Sequence, residues 1–174
     1  MCSSDLELRR EMIDLSDVVG SALQRCGKVL ADHRVAVTLA SDLPMFPLDF
    51  ILMEQVLVNL LDNAAKYAPG GTTIEVDGQR ENGTVVIEVR DEGPGVPADD
   101  LERIFDKFYR VRGGDRQRAG TGLGLAICRG FIEAQGGTIA AANRAGRSGA
   151  VFTVRLPIDE LERQKVEGWR PDGR

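Results

Sequence analysis

The chain has one histidine, three cysteines and few aromatic residues, which make up 5% of its 174 residues. Because His33 is the single histidine, a catalytic or metal site that needs two histidines is excluded within this polypeptide. Cys2, Cys26 and Cys128 are scattered and form no CxxC pair, so neither a disulfide framework nor a zinc site is predicted. This cysteine usage favours a reducing, intracellular compartment.

The sequence also lacks any apolar run long enough to cross a bilayer, and residues 1–5 have neither the charged region nor the apolar region of a signal peptide. We therefore expect a cytoplasmic domain without membrane contact. The 22 Lys and Arg against 27 Asp and Glu give a formal net charge of −5, so a broad basic surface for nucleic acid is not expected. Any phosphate that this chain binds must be held locally.

Hydrophobic periodicity predicts an α+β fold of helices and hairpins. The predicted helices cover residues 16–32, 49–67 and 123–134, and residues 1–13 are interpreted as the trailing end of a preceding helix. The predicted strands cover residues 35–39, 74–77, 84–90, 138–142 and 150–156, with Asn82-Gly83 as a hairpin turn and Pro44 and Pro47 as breaks. Residues 93–120 are interpreted as a long functional loop with a short helical patch near 99–105, and residues 159–174 as a charged tail.

A polar stripe interrupts the apolar helix predicted over 49–67. Asn59, Asn63 and Lys66 lie at i, i+4 and i+7, and therefore on one helical face. Burying a carboxamide without partners costs about 1–3 kcal/mol, so this pair of asparagines has a reason. Two satisfied buried amides are one explanation; a carboxamide ligand for Mg²⁺ with Lys66 as a phosphate partner is the other.

Two glycine-containing motifs follow further along the chain. Asp91-Glu92-Gly93-Pro94-Gly95 stands at the end of a predicted strand, where it can form an ordinary turn or present Asp91 to an exocyclic amino group. Gly120-Thr121-Gly122-Leu123-Gly124 runs into a helix and directs backbone N–H groups at an anion. No compact βαβ unit surrounds it and no Walker A, H-R-D or D-F-G motif occurs, which argues against the Rossmann, P-loop and protein-kinase folds.

Four motifs occur along the chain in this order: N-x-x-x-N-x-x-K, D-x-G-x-G, F-x-x-F (Phe105 to Phe108) and G-x-G-x-G. On these motifs the chain resembles the ATP-binding catalytic domain of sensor histidine kinases over about residues 45–157. This is the Bergerat type shared with DNA gyrase and Hsp90. The resemblance implies a two-layer α/β sandwich whose mixed, mostly antiparallel sheet is covered on one face by about three helices. The sequence is most similar to the potassium-responsive, osmosensitive branch. The implied domain covers residues 14–158.

The resemblance implies a role for each motif residue. Asn63 would coordinate the Mg²⁺ of Mg-ATP, Asn59 would support the metal and phosphates, and Lys66 would contact phosphate. Catalytic roles are implied for Asn59, Lys66 and Arg110, and Tyr67 would lie near the ribose or base. Asp91 would bind the adenine amino group in a pocket shaped by Gly93 and Gly95. The remaining implied ATP-binding residues are the phosphate-side lid residues Gly120, Thr121, Gly122, Leu123 and Gly124, and Phe105 and Phe108 would form an aromatic box that faces the partner domain.

The implied reaction transfers the γ-phosphoryl group of ATP to a histidine on a separate dimerisation domain, and a response regulator is the implied next partner. Arg34 and Val35 after His33 depart from the family's acceptor motif, so we expect a monomeric piece of a homodimeric kinase that cannot phosphorylate itself. Two alternatives stay open: a serine kinase of the anti-sigma-factor type, and a non-catalytic ATP sensor. A gyrase-like ATPase is less favoured, because that branch has a glutamate where Asn59 stands.

Overall fold

The computed structural model describes residues 7–111 and 122–159. Within them, seven strands and three α-helices are found. The strands are β1 (Arg10–Ile13), β2 (Arg34–Leu39), β3 (Phe46–Asp49), β4 (Thr73–Glu81), β5 (Thr84–Arg90), β6 (Thr138–Asn143) and β7 (Ala150–Pro157). The helices are α1 (Leu15–Arg25), α2 (Phe50–Tyr67) and α3 (Gly124–Ala134). None of the helices in this part of the chain is long and apolar enough to cross a membrane.

The main sheet has five strands in the order β2-β4-β5-β7-β6. The β2–β4 pair is parallel and the other three pairs are antiparallel. In β4 and β7, buried and more accessible residues alternate, because one face of the sheet meets the helices and the other meets solvent. The predicted two-layer sandwich with a mixed, mostly antiparallel sheet is confirmed.

The core lies between this sheet and the three helices. Helix α2 is central, with α1 on one side and α3 on the other. Its buried face consists of Met53, Val56, Leu57, Leu60, Leu61 and Ala64. Asp49 is the N-cap of helix α2, and its carboxylate accepts a hydrogen bond from the Leu52 N–H at 3.1 Å. The Asp49 N–H donates to the buried Gln135 side chain at 2.9 Å, which ties the start of α2 to the end of α3.

The hairpin turn between β4 and β5 is confirmed. Asn82 and Gly83 both have positive φ, +47° and +75°, as the favoured two-residue hairpin turn requires. Glu81 and Thr84 pair directly on either side of it. Strand β5 is the central strand of the sheet, and the loop that follows it at Asp91 lies beside the end of α2.

Three local predictions were wrong. Residues Arg10–Ile13 form a strand rather than the end of a helix, because they pair antiparallel with β3 in a separate two-stranded sheet. Strand β3 contains Pro47, which a strand paired on one side tolerates although it reads as a break in sequence. Helix α1 ends at Arg25 rather than near residue 32, and the chain continues through turns. The patch near 99–105 is two short 3-10 helices, Ala98–Asp100 and Arg103–Phe105.

Candidate functional site

The first part of the site is the polar face of α2. The Asn59 side chain is half-buried and held on both sides: its Oδ1 accepts from Gln55 Nε2 at 2.9 Å, and its Nδ2 donates to the Gly124 carbonyl oxygen at 3.2 Å. Asn59 therefore connects α2 to the first residue of α3. This pair places the asparagine motif beside the glycine-rich motif.

Asn63, one turn further along α2, is half-buried, and no described residue hydrogen-bonds its side chain. Among the described residues nothing occupies its carboxamide oxygen, which can therefore bind a ligand. Lys66 lies in the last turn of α2 and is also half-buried. No group of three or more His, Cys, Asp or Glu side chains that could hold a metal ion occurs in residues 7–111 and 122–159. A cation such as Mg²⁺, which prefers oxygen ligands, would be coordinated here by the Asn63 carboxamide oxygen and by oxygen atoms of a bound nucleotide.

The second part of the site is Asp91, directly after β5. Its side chain is only 4% exposed, and its Oδ1 accepts backbone hydrogen bonds from Gly93 at 2.8 Å and Ala150 at 3.3 Å. Burial raises the pKa of Asp91, and the two backbone donors and the charge of Arg144 oppose that rise. Both donors bind Oδ1, and no described residue donates to Oδ2, so Oδ2 can accept a hydrogen bond from a ligand.

Close backbone approach explains the glycines around Asp91. A Cβ atom on Gly93 would lie 2.9 Å from the carbonyl oxygen of Tyr67 at the end of α2. Gly95 has φ +77°, and a Cβ there would lie 2.6 Å from Asn143 Oδ1. The loop after β5 therefore packs directly against the end of α2, where Tyr67 is 41% exposed. This brings the Asp91 motif to the helix that carries Asn59 and Asn63.

The turn between β6 and β7 holds this loop, and the sequence analysis missed it. Asn143 makes two hydrogen bonds to Val96, accepting from its N–H at 2.8 Å and donating to its carbonyl oxygen at 2.7 Å. Arg144 Nη1 donates to the Asp91 carbonyl oxygen at 3.2 Å, and the Ser148 hydroxyl donates to the Gly93 carbonyl oxygen. These contacts join segments distant in sequence, and the available sequence signal was the pair of glycines in the turn, Gly146 and Gly149.

The third part of the site is the start of α3. Leu123 precedes the helix, and no side chain of a described residue caps its N-terminus. The first-turn N–H groups are therefore not taken up by a capping side chain, as expected of a helix end that binds an anion. Gly122 has φ +73° and its carbonyl oxygen accepts from the Phe108 N–H at 2.9 Å. Gly120 and Thr121, also predicted to bind phosphate, lie outside the described residues.

The two phenylalanines have different environments. Phe105 is 3% exposed, packs edge-to-face on Phe152 with ring centroids 6.2 Å apart, and has the Arg129 guanidinium 4.5 Å from its ring centre. Phe108 is 70% exposed and has φ +63°. Arg110 is exposed and immediately precedes Val111, the last residue described before the gap at 112–121. Its catalytic role stays a prediction.

His33 does not resemble an accessible nucleophile. Its Nε2 lies 3.2 Å from the Ala65 carbonyl oxygen, and its Nδ1 is buried without a hydrogen-bond partner among the described residues. Nδ1 is therefore withdrawn from solvent and Nε2 faces a backbone carbonyl oxygen, consistent with the departure of His33 from the acceptor motif.

Comparison with known proteins supports the resemblance found in the sequence. The family model described as histidine kinase-, DNA gyrase B-, and HSP90-like ATPase matches residues 49–160. The sensor protein KdpD of Escherichia coli K12 is 42% identical over 157 residues, which are 89% of this chain and 17% of that protein. The sensor histidine kinase WalK of Bacillus subtilis is 35% identical over 162 residues, which are 91% of this chain and 26% of that protein. The chain thus spans about a sixth to a quarter of these relatives.

Solved structures of sensor histidine kinases have the same fold as this chain. A mycobacterial sensor histidine kinase, MprB, superposes with a TM-score of 0.74 at 28% identity, covering 85% of this chain and 97% of that chain. Full-length ShkA in complex with AMPPNP superposes with a TM-score of 0.77 at 28% identity, covering 87% of this chain and 32% of that chain. ShkA, which has a similar fold, therefore binds an ATP analogue.

Proposed function

Since the chain belongs to the family of histidine kinase-, DNA gyrase B- and HSP90-like ATPases, we propose that it is the catalytic ATP-binding domain of a two-component sensor histidine kinase. The observation that carries this proposal is the buried Asp91, whose Oδ1 is occupied by two backbone donors. A carboxylate held in this way offers its second oxygen to an exocyclic amino group such as that of adenine.

The remaining motif residues fit the rest of a nucleotide. Asn63 would hold the Mg²⁺ of Mg-ATP through its carboxamide oxygen, and Lys66 would contact a phosphate. The uncapped start of α3, with Gly122, Leu123 and Gly124, would receive phosphate oxygens. Bound Mg²⁺ would supply neutralisation of phosphate charge. Asn59 links this phosphate side to α2 through its hydrogen bond to Gly124.

The proposed reaction is in-line transfer of a phosphoryl group. A nitrogen of an acceptor histidine would form a P–N bond to the γ-phosphorus while the P–O bond to ADP breaks. The chain's contribution is to position ATP and to neutralise its charge, with Asn59, Lys66 and Arg110 as the proposed catalytic residues. Since His33 Nε2 faces the Ala65 carbonyl oxygen, the acceptor histidine would belong to another domain.

The proposal includes partners and organisation. We propose that residues 14–158 form the catalytic domain and residues 159–174 a tail. Residues 1–13 would lead from the dimerisation domain, and of these Arg10–Ile13 join the fold by pairing with β3. The full kinase would be a homodimer that passes the phosphoryl group to a response regulator in the cytoplasm. The KdpD relatives support placement in the potassium-responsive branch.

The test is calorimetric titration of ADP with and without Mg²⁺. Asp91→Asn preserves an oxygen for the Gly93 and Ala150 donors and puts an NH₂ donor where Oδ2 stands, so we expect ADP to bind at least about tenfold more weakly. Asn63→Ala is expected to remove the Mg²⁺ dependence. Asp62→Ala, an exposed neighbour on α2, is the matched control and should bind as the wild type does. Unchanged binding by Asp91→Asn would refute the adenine site.

A second experiment separates the kinase from the alternatives. A dimerisation domain from a KdpD-type relative is supplied in trans with radiolabelled ATP. Label on that domain that is lost in acid identifies phosphohistidine and supports the proposal. Acid-stable label would indicate a serine kinase, and ATP binding without any transfer would indicate a non-catalytic sensor.

A further inference from the structure

We propose that Arg144 is a positioning residue for adenine recognition, which anchors the loop after β5 through the Asp91 carbonyl oxygen and leaves the Asp91 carboxylate open to the base. The inference rests on the proposed ATP-binding function. It adds a specificity-determining residue from the turn between β6 and β7, a segment outside the four sequence motifs.

The geometry of Arg144 is that of a buried bridge. Its side chain is 8% exposed. Nη1 donates to the Asp91 carbonyl oxygen at 3.2 Å, and Nη2 donates to Glu75 Oε2 on β4 at 3.1 Å. Its backbone N–H donates to the Gly149 carbonyl oxygen at 2.9 Å, which closes the turn. The guanidinium is thus fixed by two acceptors. A buried positive charge held in one place interacts strongly with a charged group beside it.

The choice of the carbonyl oxygen matters for recognition. An arginine that paired directly with the Asp91 carboxylate would occupy the atom needed by a ligand. Arg144 instead binds the backbone of the same residue and places its charge close to the carboxylate. This arrangement supports the ionised form, which accepts a hydrogen bond from an amino group such as the adenine N6.

The ionisation state of Asp91 decides which base fits. Burial raises the pKa of Asp91 and so favours the neutral acid, whose hydroxyl donates rather than accepts. A donor there would match a base that carries a carbonyl oxygen, such as hypoxanthine. The backbone donors Gly93 and Ala150 oppose this rise in the pKa of Asp91, and the charge of Arg144 adds to their effect. Removing that charge should therefore weaken adenine binding most at low pH, where the neutral acid gains population.

The other charged groups near Asp91 have different partners. Glu92 accepts from the Thr73 N–H at 2.8 Å and pairs with Arg147 at 2.5 Å. Glu75 is shared between Arg144 and, at 3.8 Å, Arg90. On the side of α2, the backbone of Tyr67 lies against the loop, since its carbonyl oxygen would be 2.9 Å from a Cβ atom on Gly93. Arg147 is half-exposed and pairs with Glu92, so it serves as a matched arginine in the same turn.

The experiment measures the titration of Asp91 directly and then its effect on binding. In the full chain, the ¹³C chemical shift of the Asp91 carboxyl carbon is followed against pH for the wild type, Arg144→Gln, Arg144→Lys and Arg147→Gln. We expect the titration to move to higher pH in Arg144→Gln only. Glu75→Gln removes the anion beside Arg144 and should move the titration to lower pH, the opposite direction.

Binding of ADP and IDP without Mg²⁺ is then measured across the same pH range. Arg144→Gln should lose ADP affinity relative to the wild type by about threefold or more at the acidic end, with a smaller loss at pH 8, while the IDP to ADP preference rises. A purely structural role would weaken binding equally at every pH, and that result overturns the proposal. The proposal is also overturned if Asp91 titrates at the same pH in Arg144→Gln as in the wild type. If Arg144→Gln does not fold, the proposal is overturned when Glu75→Gln fails to move the titration of Asp91 to lower pH. Absence of ADP binding by wild type, with the Asp91 titrations as expected, would refute the proposed function and not the Arg144–Asp91 coupling.

Discussion

Replacing Gly149 by alanine should destabilise the domain and damage the proposed adenine site at the same time. Gly149 is buried and has φ +132°, far from the small left-handed region that L residues can enter at about +57°. A Cβ atom there would lie 1.9 Å from the Asp91 carbonyl oxygen and 2.7 Å from Arg144 Cδ. Because real contacts of this kind are not shorter than 3.0 Å, the Asp91 carbonyl must move by about 1 Å.

The matched control is Gly146 in the same turn. It also has positive φ, +71°, but a Cβ added there would meet no atom within 4 Å. Gly146→Ala therefore incurs only the cost of an alanine in the left-handed region, about 1–2 kcal/mol. Gly149→Ala incurs a backbone cost of about 1–3 kcal/mol and, in addition, about 1–3 kcal/mol for displacing packed atoms. The difference in unfolding free energy between the two variants should be about 2 kcal/mol.

Urea denaturation of the two variants measures this difference, and calorimetry with ADP measures the site. Gly149→Ala should show both the larger loss of stability and a weaker affinity for ADP, since the moved carbonyl belongs to Asp91. Gly146→Ala should bind ADP as the wild type does. Equal destabilisation of the two variants, or wild-type ADP affinity in Gly149→Ala, would refute the reasoning that the turn and the loop are in forced contact.

Further predictions concern burial. The raised pKa of Asp91 means that the folded wild type binds a proton more tightly than the unfolded chain, so its stability falls as pH rises from about 3.8 through the folded pKa. Asp91→Asn should therefore gain stability relative to wild type across that rise, measured by urea denaturation at several pH values. Phe105→Ala should cost about 3–5 kcal/mol, whereas Phe108→Ala should cost less than about 1 kcal/mol in the same assay. Burial raises the pKa of the Cys128 thiol to about 12, so peptide mapping should find it unalkylated by iodoacetamide at pH 8 until urea is added.

The main elements were predictable because local pattern and tertiary environment agree. Strands β4, β5 and β7 carry apolar residues toward the helices, and the Asn82-Gly83 turn needs only its own two residues. Strand β1 was not predictable, since three of its four residues are exposed and its conformation comes from pairing with β3. Pro47 concealed β3 for the same reason, because the pairing partner is remote in sequence.

Some residues of the candidate site were likewise predictable from sequence and others were not. Asn59, Asn63 and Asp91 carry signals in their own neighbourhoods: a polar stripe on an apolar helix, and a carboxylate followed by glycines. The role of Arg144 has no such signal. Its two acceptors lie on β4 and after β5, and only the folded sheet brings the turn beside them. Sequence pattern points to the residues that we propose to touch the ligand, and it misses the contacts that hold them in place.

The strand order also determines when the proposed adenine site is completed during synthesis. Asp91 and Arg144 are 53 residues apart, and β7, which pairs with β5, is the last strand of the sheet to be made. A ribosome-bound chain that ends before Ala150 contains the residues of α1, α2 and the β4–β5 hairpin, but it lacks one of the two backbone donors to Asp91. Nucleotide stabilises a protein only to the extent that the binding state exists. ATP is therefore expected to protect the finished domain from unfolding while contributing nothing to the nascent one.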